Sequence, residues 1–90
     1  MPRVAFTSHL QRHGLDCSTQ QVEGHTVREA LEAVFAQRPA LRGYILDDQQ
    51  RLRPHVVIFL DGEPTTDRMQ LGERVLTESE IYVMQALSGG

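Results

Sequence analysis

The sequence predicts an α+β domain: a mixed sheet of four to five strands on one main helix, in the order β-β-α-β-β-β. Three observations predict it. "RVAFTSHL" alternates apolar and polar residues at the start of the chain. "HTVREALEAVFAQRP" carries the only long helical pattern. "HVVIFLDGE" and "IYVMQAL" are β-branched and aromatic runs too short to be helices of this composition.

Each element has a local reason. In the first run Val4, Phe6, Ser8 and Leu10 share one face, and Ala5, Thr7 and His9 the other. Period two over this length is a strand pattern. Gly14 separates it from "DCSTQQVEG", a weaker polar strand, so the two form an antiparallel hairpin with a loop near residues 12–16. Thr26 followed by Glu29 matches a reciprocal capping box. Val27, Ala30, Leu31, Val34 and Phe35 then fall on one helix face, and Arg28, Glu29, Glu32 and Gln37 on the other. Pro39 ends the helix near Gln37 or Arg38, because the residue before proline avoids the helical region. A helix over residues 26–38 follows.

Beyond it, residues 44–46 read as a short strand, residues 47–50 as a polar turn and residues 55–60 as a strand. Asp61-Gly62 is a tight-turn pair, since both residues tolerate positive φ. Residues 68–77 are irregular, with Met69, Leu71 and Leu76 expected to pin into the core. Residues 81–87 form the last strand. A single amphipathic helix must bury its apolar face on something, and the sheet is the one candidate. A sheet wrapped around one helix, with the last strand central, is the β-grasp or ubiquitin-like arrangement. The expected division is a β-grasp domain over residues 1–86 and a flexible Leu-Ser-Gly-Gly tail over residues 87–90.

Bulk properties bound the function. Ninety residues and 40% hydrophobic content make one domain with one core. A net charge of -3 gives no basic patch for nucleic acid. Cys17, the single cysteine, allows no internal disulfide and fits a reducing compartment. No apolar run approaches the roughly 20 residues of a membrane span. These properties read as a cytoplasmic chain that engages neither nucleic acid nor membrane. The chain has nine arginines and no lysine. That follows either from codon preference or from a need to keep side-chain amines away from an activated acyl group.

No enzyme-like constellation emerges, and no metal site is expected. His9 and His13 are four apart on a strand, roughly 13 Å, which is beyond the reach of one metal ion. His25 and His55 lack partners at ligand spacing, and Cys17 has no base beside it. Asp47-Asp48 and Glu78/Glu80 read as solvated charge, and Gly43, Gly62 and Gly72 are isolated. Two features carry a function instead. Val57 and Phe59, with Tyr82 and Met84, form a second apolar row that one helix cannot cover, a candidate partner-docking face. The chain's last residues are Leu87, Ser88, Gly89 and Gly90. Without Cβ atoms, Gly89 and Gly90 fit a channel one backbone wide. A terminal carboxylate is ionised and a poor electrophile at neutral pH, so it must be activated before it reacts.

With "TVREALEAVF", "HVVIFLDGE" and "SEIYVMQALSGG" together, nearly the whole chain resembles the MoaD/ThiS family of ubiquitin-like sulfur carriers. The stretch "LDDQQRLRPHVVIFLDGE" resembles the longer members, although asparagine is common in the family where Val57 and Asp61 stand. The resemblance implies a protein co-substrate and not an enzyme, with no cofactor bound. ATP would be used by a partner, an adenylyltransferase related to ubiquitin-activating enzymes, to adenylate Gly90. A sulfur donor protein would leave Gly90 as a thiocarboxylate, and an acceptor enzyme or synthase large subunit would take the sulfur for cofactor or amino-acid biosynthesis. Leu87, Ser88 and Gly89 would govern access of the tail. Alternatives are the small subunit of molybdopterin synthase, a protein modifier joined to target lysines, and a ubiquitin-like binding module with an idle tail.

Overall fold

A computed structural model of the 90-residue chain describes residues 1–6 and 19–85, Gln85 by its backbone. Its elements are β1 (Arg3–Phe6), β2 (Gln20–Gln21), α1 (Val27–Gln37), a 3₁₀ turn (Pro39–Leu41), α2 (Arg42–Ile45), β3 (Val56–Leu60), β4 (Glu63–Pro64) and β5 (Glu80–Gln85). The five strands lie in the order β2-β1-β5-β3-β4. β5 is central, parallel to β1 and antiparallel to β3, and the two edge pairs are antiparallel. This is the expected β-grasp arrangement.

The alternation in the strands decides which face meets the helix. Val4 and Phe6, Ile81 and Val83, and Val56 and Ile58 are all buried. They meet the buried α1 stripe of Val27, Ala30, Leu31, Val34 and Phe35 in one core. Burying each large apolar side chain stabilises the fold by about 1.5–3 kcal/mol. Thr26 caps α1 as the sequence suggests, its hydroxyl accepting from the Glu29 N–H at 3.1 Å. The return bond differs from the capping box. The Glu29 carboxylate accepts the N–H of His25, one residue earlier, at 2.9 Å. The N–H groups of Val27 and Arg28 go to the carbonyls of Glu73 and Leu71, both at 2.9 Å. The irregular segment after β4 therefore completes the helix start.

The structure corrects the sequence reading in three places. Residues 44–46 do not form a strand. Pro39 opens a 3₁₀ turn that continues into α2, and only Leu46 bridges, to Leu52. Met69 and Leu76 do not pin the core and are 61% and 70% exposed, whereas Leu71 and Val75 are buried. The third strand after the helix is instead β4, which pairs Glu63 with Leu60 and Pro64 with Phe59. Asp61 and Gly62 make the turn as expected, with φ of 52° and 87°.

Arginines fasten the loops. Arg28 donates to the carbonyls of Gln50 and Gln70 at 2.7 Å and of Met69 at 3.0 Å. Arg68 joins the carbonyls of Arg53 and Val56 at 2.7 Å. Leu71 is buried in the left-handed region at φ 55°, strained for a branched side chain. The Asp67 carboxylate fixes that bend by accepting the N–H groups of Gln70 and Gly72 at 3.0 Å.

Candidate functional site: the helix-free sheet face

The period-two alternation that buries Val56, Ile58, Ile81 and Val83 turns their neighbours to the opposite side of the sheet. There Val57 faces Met84 across the ladder and Phe59 faces Tyr82. The same register puts Ala5 beside Tyr82 and Pro64 beside Phe59. One row therefore crosses four strands as Ala5, Tyr82, Phe59 and Pro64, and Val57 with Met84 forms a shorter row next to it. Val57, Phe59, Tyr82 and Met84 are all half-buried. They are neither core nor fully solvated, and no helix of the described residues packs over them. Val57, Phe59, Tyr82 and Met84, the candidate docking residues of the sequence, thus lie together on one face. Ala5 and Pro64, not singled out in the sequence, share it. The alternation of "RVAF" pointed to Ala5, but Pro64 carried no strand signal of its own.

Charge bounds this face at the β5 entry. Arg3 and Glu80 are ladder partners and pair at 3.1 Å, with both side chains about half exposed. The Asp61 carboxylate accepts the Glu80 N–H at 2.8 Å, fastening the β3–β4 turn to the start of β5. Exposed pairs of this kind contribute little stability and can be reorganised by a partner.

Of the carboxylates read as solvated charge, Asp47 is instead tied into its own loop. Asp47 accepts the N–H groups of Arg51 and Gln49 at 3.0 and 2.8 Å, and these bonds, the first above all, hold its carboxyl below the usual range. Glu32 is likewise lowered by its hydrogen bonds with Arg42, and the Arg42 guanidinium is raised in turn. Asp48 and Glu78 are exposed. His25 is exposed and His55 half-buried. Among the described residues no group of three or more His, Cys, Asp or Glu gathers to hold a metal ion. His9, His13 and Cys17 lie outside the described residues.

Leu87, Ser88, Gly89 and Gly90 also lie outside the described residues. What the fold establishes is where the strand before them runs. β5 occupies the centre of the sheet and carries the chain to Gln85, the ladder partner of Val56. A groove of about 630 Å³ is at the opposite pole, lined by Met1, Glu23, His25, Arg74 and Leu76 among others. It is open and distant from the end of β5, so the sheet face and the terminal residues, and not this groove, form the candidate site. No helix of the described residues is long and apolar enough to cross a membrane.

No family model and no curated protein matches the chain. Solved structures do. SAMP1 from Haloferax volcanii is 26% identical, with a TM-score of 0.76 over 99% of this chain and 98% of that one. A chain of the BexX/CysO complex from Amycolatopsis orientalis gives 0.81 at 17% identity, covering 100% of both chains. CysO from Mycobacterium tuberculosis gives 0.80 at 16% identity, over 97% of this chain and 100% of that one. The fold is that of the ubiquitin-like β-grasp proteins, and these neighbours are consistent with a MoaD/ThiS-like chain.

Proposed function

We propose that this chain is a sulfur carrier that works as a protein co-substrate and supplies no catalytic group, metal or cofactor of its own. The observation that carries the reading is the position of β5. The strand that precedes Leu87, Ser88, Gly89 and Gly90 is central, and beside it lies an apolar face that the helix leaves uncovered. A partner gripping Val57, Phe59, Tyr82 and Met84 would hold the rigid body while the slim terminus enters its active site. Positioning of this kind makes a weak reaction effectively intramolecular.

The chemistry proceeds in two steps. In a ubiquitin-activating-enzyme-like adenylyltransferase, the Gly90 carboxylate attacks the α-phosphorus of ATP and pyrophosphate leaves. The terminal sulfur of a donor persulfide then attacks the acyl carbon, and AMP leaves with the electron pair of the C–O bond. A second thiol attacks the donor's own sulfur, forming a disulfide with it as the acyl S–S bond breaks, and Gly90 leaves as a thiocarboxylate for an acceptor enzyme in cofactor or amino-acid biosynthesis. A second reading, a protein modifier, is favoured by one observation. A further solved neighbour, from Haloferax volcanii at 24% identity, is called small archaeal modifier protein 1. There a target amine, and not sulfur, would displace AMP. The small subunit of a molybdopterin synthase would share the thiocarboxylate, and stable co-purification with a large subunit would distinguish it.

The test is ATP–pyrophosphate exchange by the cognate adenylyltransferase. The intact chain supports exchange, and deletion of Gly90 abolishes it without moving Tm. Exchange at the normal rate after the deletion contradicts the reading.

A further inference from the structure

Every lysine-or-arginine position in this chain is an arginine. Folding explains some of these choices. Arg28 reaches three carbonyls at once, and Arg68 reaches two. Arg42 grips the Glu32 carboxylate with both terminal nitrogens and lies 5.0 Å from the centre of the Phe35 ring. A planar fork does this and an ammonium does not. At Arg3, Arg51, Arg53 and Arg74 the described contacts make no such demand. Among the described contacts, Arg3 holds an exposed ion pair with Glu80, Arg51 a half-buried one with Asp47 at 3.5 Å, and Arg53 donates from Nε to the Gly43 carbonyl at 2.8 Å. Arg74 is exposed at the groove of the far pole. Lysine would serve the fold at each of these positions.

The difference between the two cations is chemical. An amine attacks an activated acyl carbon from its unprotonated form: the N–C bond forms, the bond to the leaving group breaks, and the amine proton passes to solvent. Lysine, with a pKa of about 10.4, reaches that form at working pH. A guanidinium, with a pKa above about 12, stays protonated and inert. Geometry makes the distinction matter. Gly90 lies five residues beyond Gln85, a reach of at most about 18 Å. Arg53 lies three residues before Val56, the ladder partner of Gln85, and so falls within that sweep.

We infer that the arginine-only cation set is a guard for the terminus: an activated Gly90 is left for a nucleophile supplied in trans because no side chain of its own body can capture it as an amide. The purpose of the guard rests on the carrier reading above. Its chemistry does not, and can be tested without any activating enzyme.

The experiment uses the full chain as its Gly90 2-mercaptoethanesulfonate thioester, made by intein cleavage and held at pH 8 and micromolar concentration. The wild-type thioester hydrolyses to the acid. Arg53→Lys closes instead to a species one water lighter than the acid, resistant to dithiothreitol, with the link located by fragmentation between position 53 and Gly90. The thioester disappears roughly tenfold faster, as expected for an intramolecular amine. Arg51→Lys, on the same loop, does the same. Arg74→Lys behaves like wild type, because it sits at the far pole. Dithiothreitol separates any exchange with the Cys17 thiol from amide formation. Thermal melts establish that each variant is folded. If folded Arg51→Lys and Arg53→Lys both hydrolyse at the wild-type rate with no amide, the guard is overturned. Capture by Arg74→Lys as fast as by Arg53→Lys also overturns the geometric argument. Absence of pyrophosphate exchange would count against the carrier reading alone.

Discussion

Phe59 stands directly across the β3–β5 ladder from Tyr82, on the side of the sheet turned away from α1. Both rings are half-buried, with Ala5 next to Tyr82 and Pro64 next to Phe59 in the same row. A cross-strand aromatic pair contributes roughly 0.2–1 kcal/mol to a sheet, far less than a buried core residue. Its placement on an uncovered face is the ground for the docking role proposed above.

Phe59→Ala therefore separates binding from folding. Affinity for the adenylyltransferase should fall by about 2 kcal/mol or more, the range of an interface hot spot. Stability in urea should change by about 1 kcal/mol or less. Isothermal titration and denaturant melts on the same protein check this. Equal losses would make Phe59 a core residue.

The core behaves oppositely. Leu31 is 1% exposed, in the centre of the α1 stripe. Leu31→Ala should cost about 2–5 kcal/mol in a denaturant melt, because the lost methyl groups leave a cavity that α1 and the sheet cannot fully close. A cost near zero would remove Leu31 from the core.

Gly24 is required by close approach. A Cβ there would stand 2.8 Å from the backbone nitrogen of Ala30 and 3.1 Å from its Cα, both fixed in α1. Gly24→Ala should destabilise the fold by about 1–3 kcal/mol through overpacking. A thermal melt is sufficient, and an unchanged Tm would show that the turn before α1 can move aside.

Much of this architecture was legible in residue order, and the failures have physical causes. The stripe from Val27 to Phe35, the Thr26 cap and the Asp61-Gly62 turn depend on short-range geometry, which the sequence carries directly. Residues 44–46 misled because three residues cannot distinguish period two from one helical turn. Pro39, which ends α1, also suits the first position of the next helical segment. Of Met69, Leu71 and Leu76, all expected inside, only Leu71 is buried, and Val75 is the second pin. Which of several apolar residues in an irregular segment turns inward is decided by long-range bonds. Here these are the Asp67 clasp and the bond from the Val75 N–H to the His25 carbonyl at 2.9 Å. That Val57, Phe59, Tyr82 and Met84 share one face followed from alternation alone. Gly89 and Gly90 were legible only as sequence, from the absence of side chains.

Acid should loosen the loops first. Backbone N–H bonds, led by that from Gln70, hold the Asp67 carboxyl below its ordinary range, and those led by Arg51 do the same for Asp47. A carboxyl lowered in the folded state stabilises above its unfolded pKa of about 3.9, and that contribution is lost as pH falls through the lower folded value. Urea midpoints should therefore be steady from about pH 7 to 5 and fall below about pH 4. Asp67→Asn should lower the midpoint at pH 7 and flatten the acid slope. An unchanged slope would remove Asp67 from the acid response.

The most direct measurement is the intact mass of the protein purified from its own organism under non-reducing, acid-free conditions, with the C-terminal fragment sequenced. The account predicts a population heavier by about 16 Da, with the increment located on Gly90. Location matters because oxidation of Met1, Met69 or Met84 adds nearly the same mass. An increment found only on methionine, with Gly90 always a plain carboxylate even when the adenylyltransferase and a persulfide donor are supplied, would contradict the sulfur-carrier account.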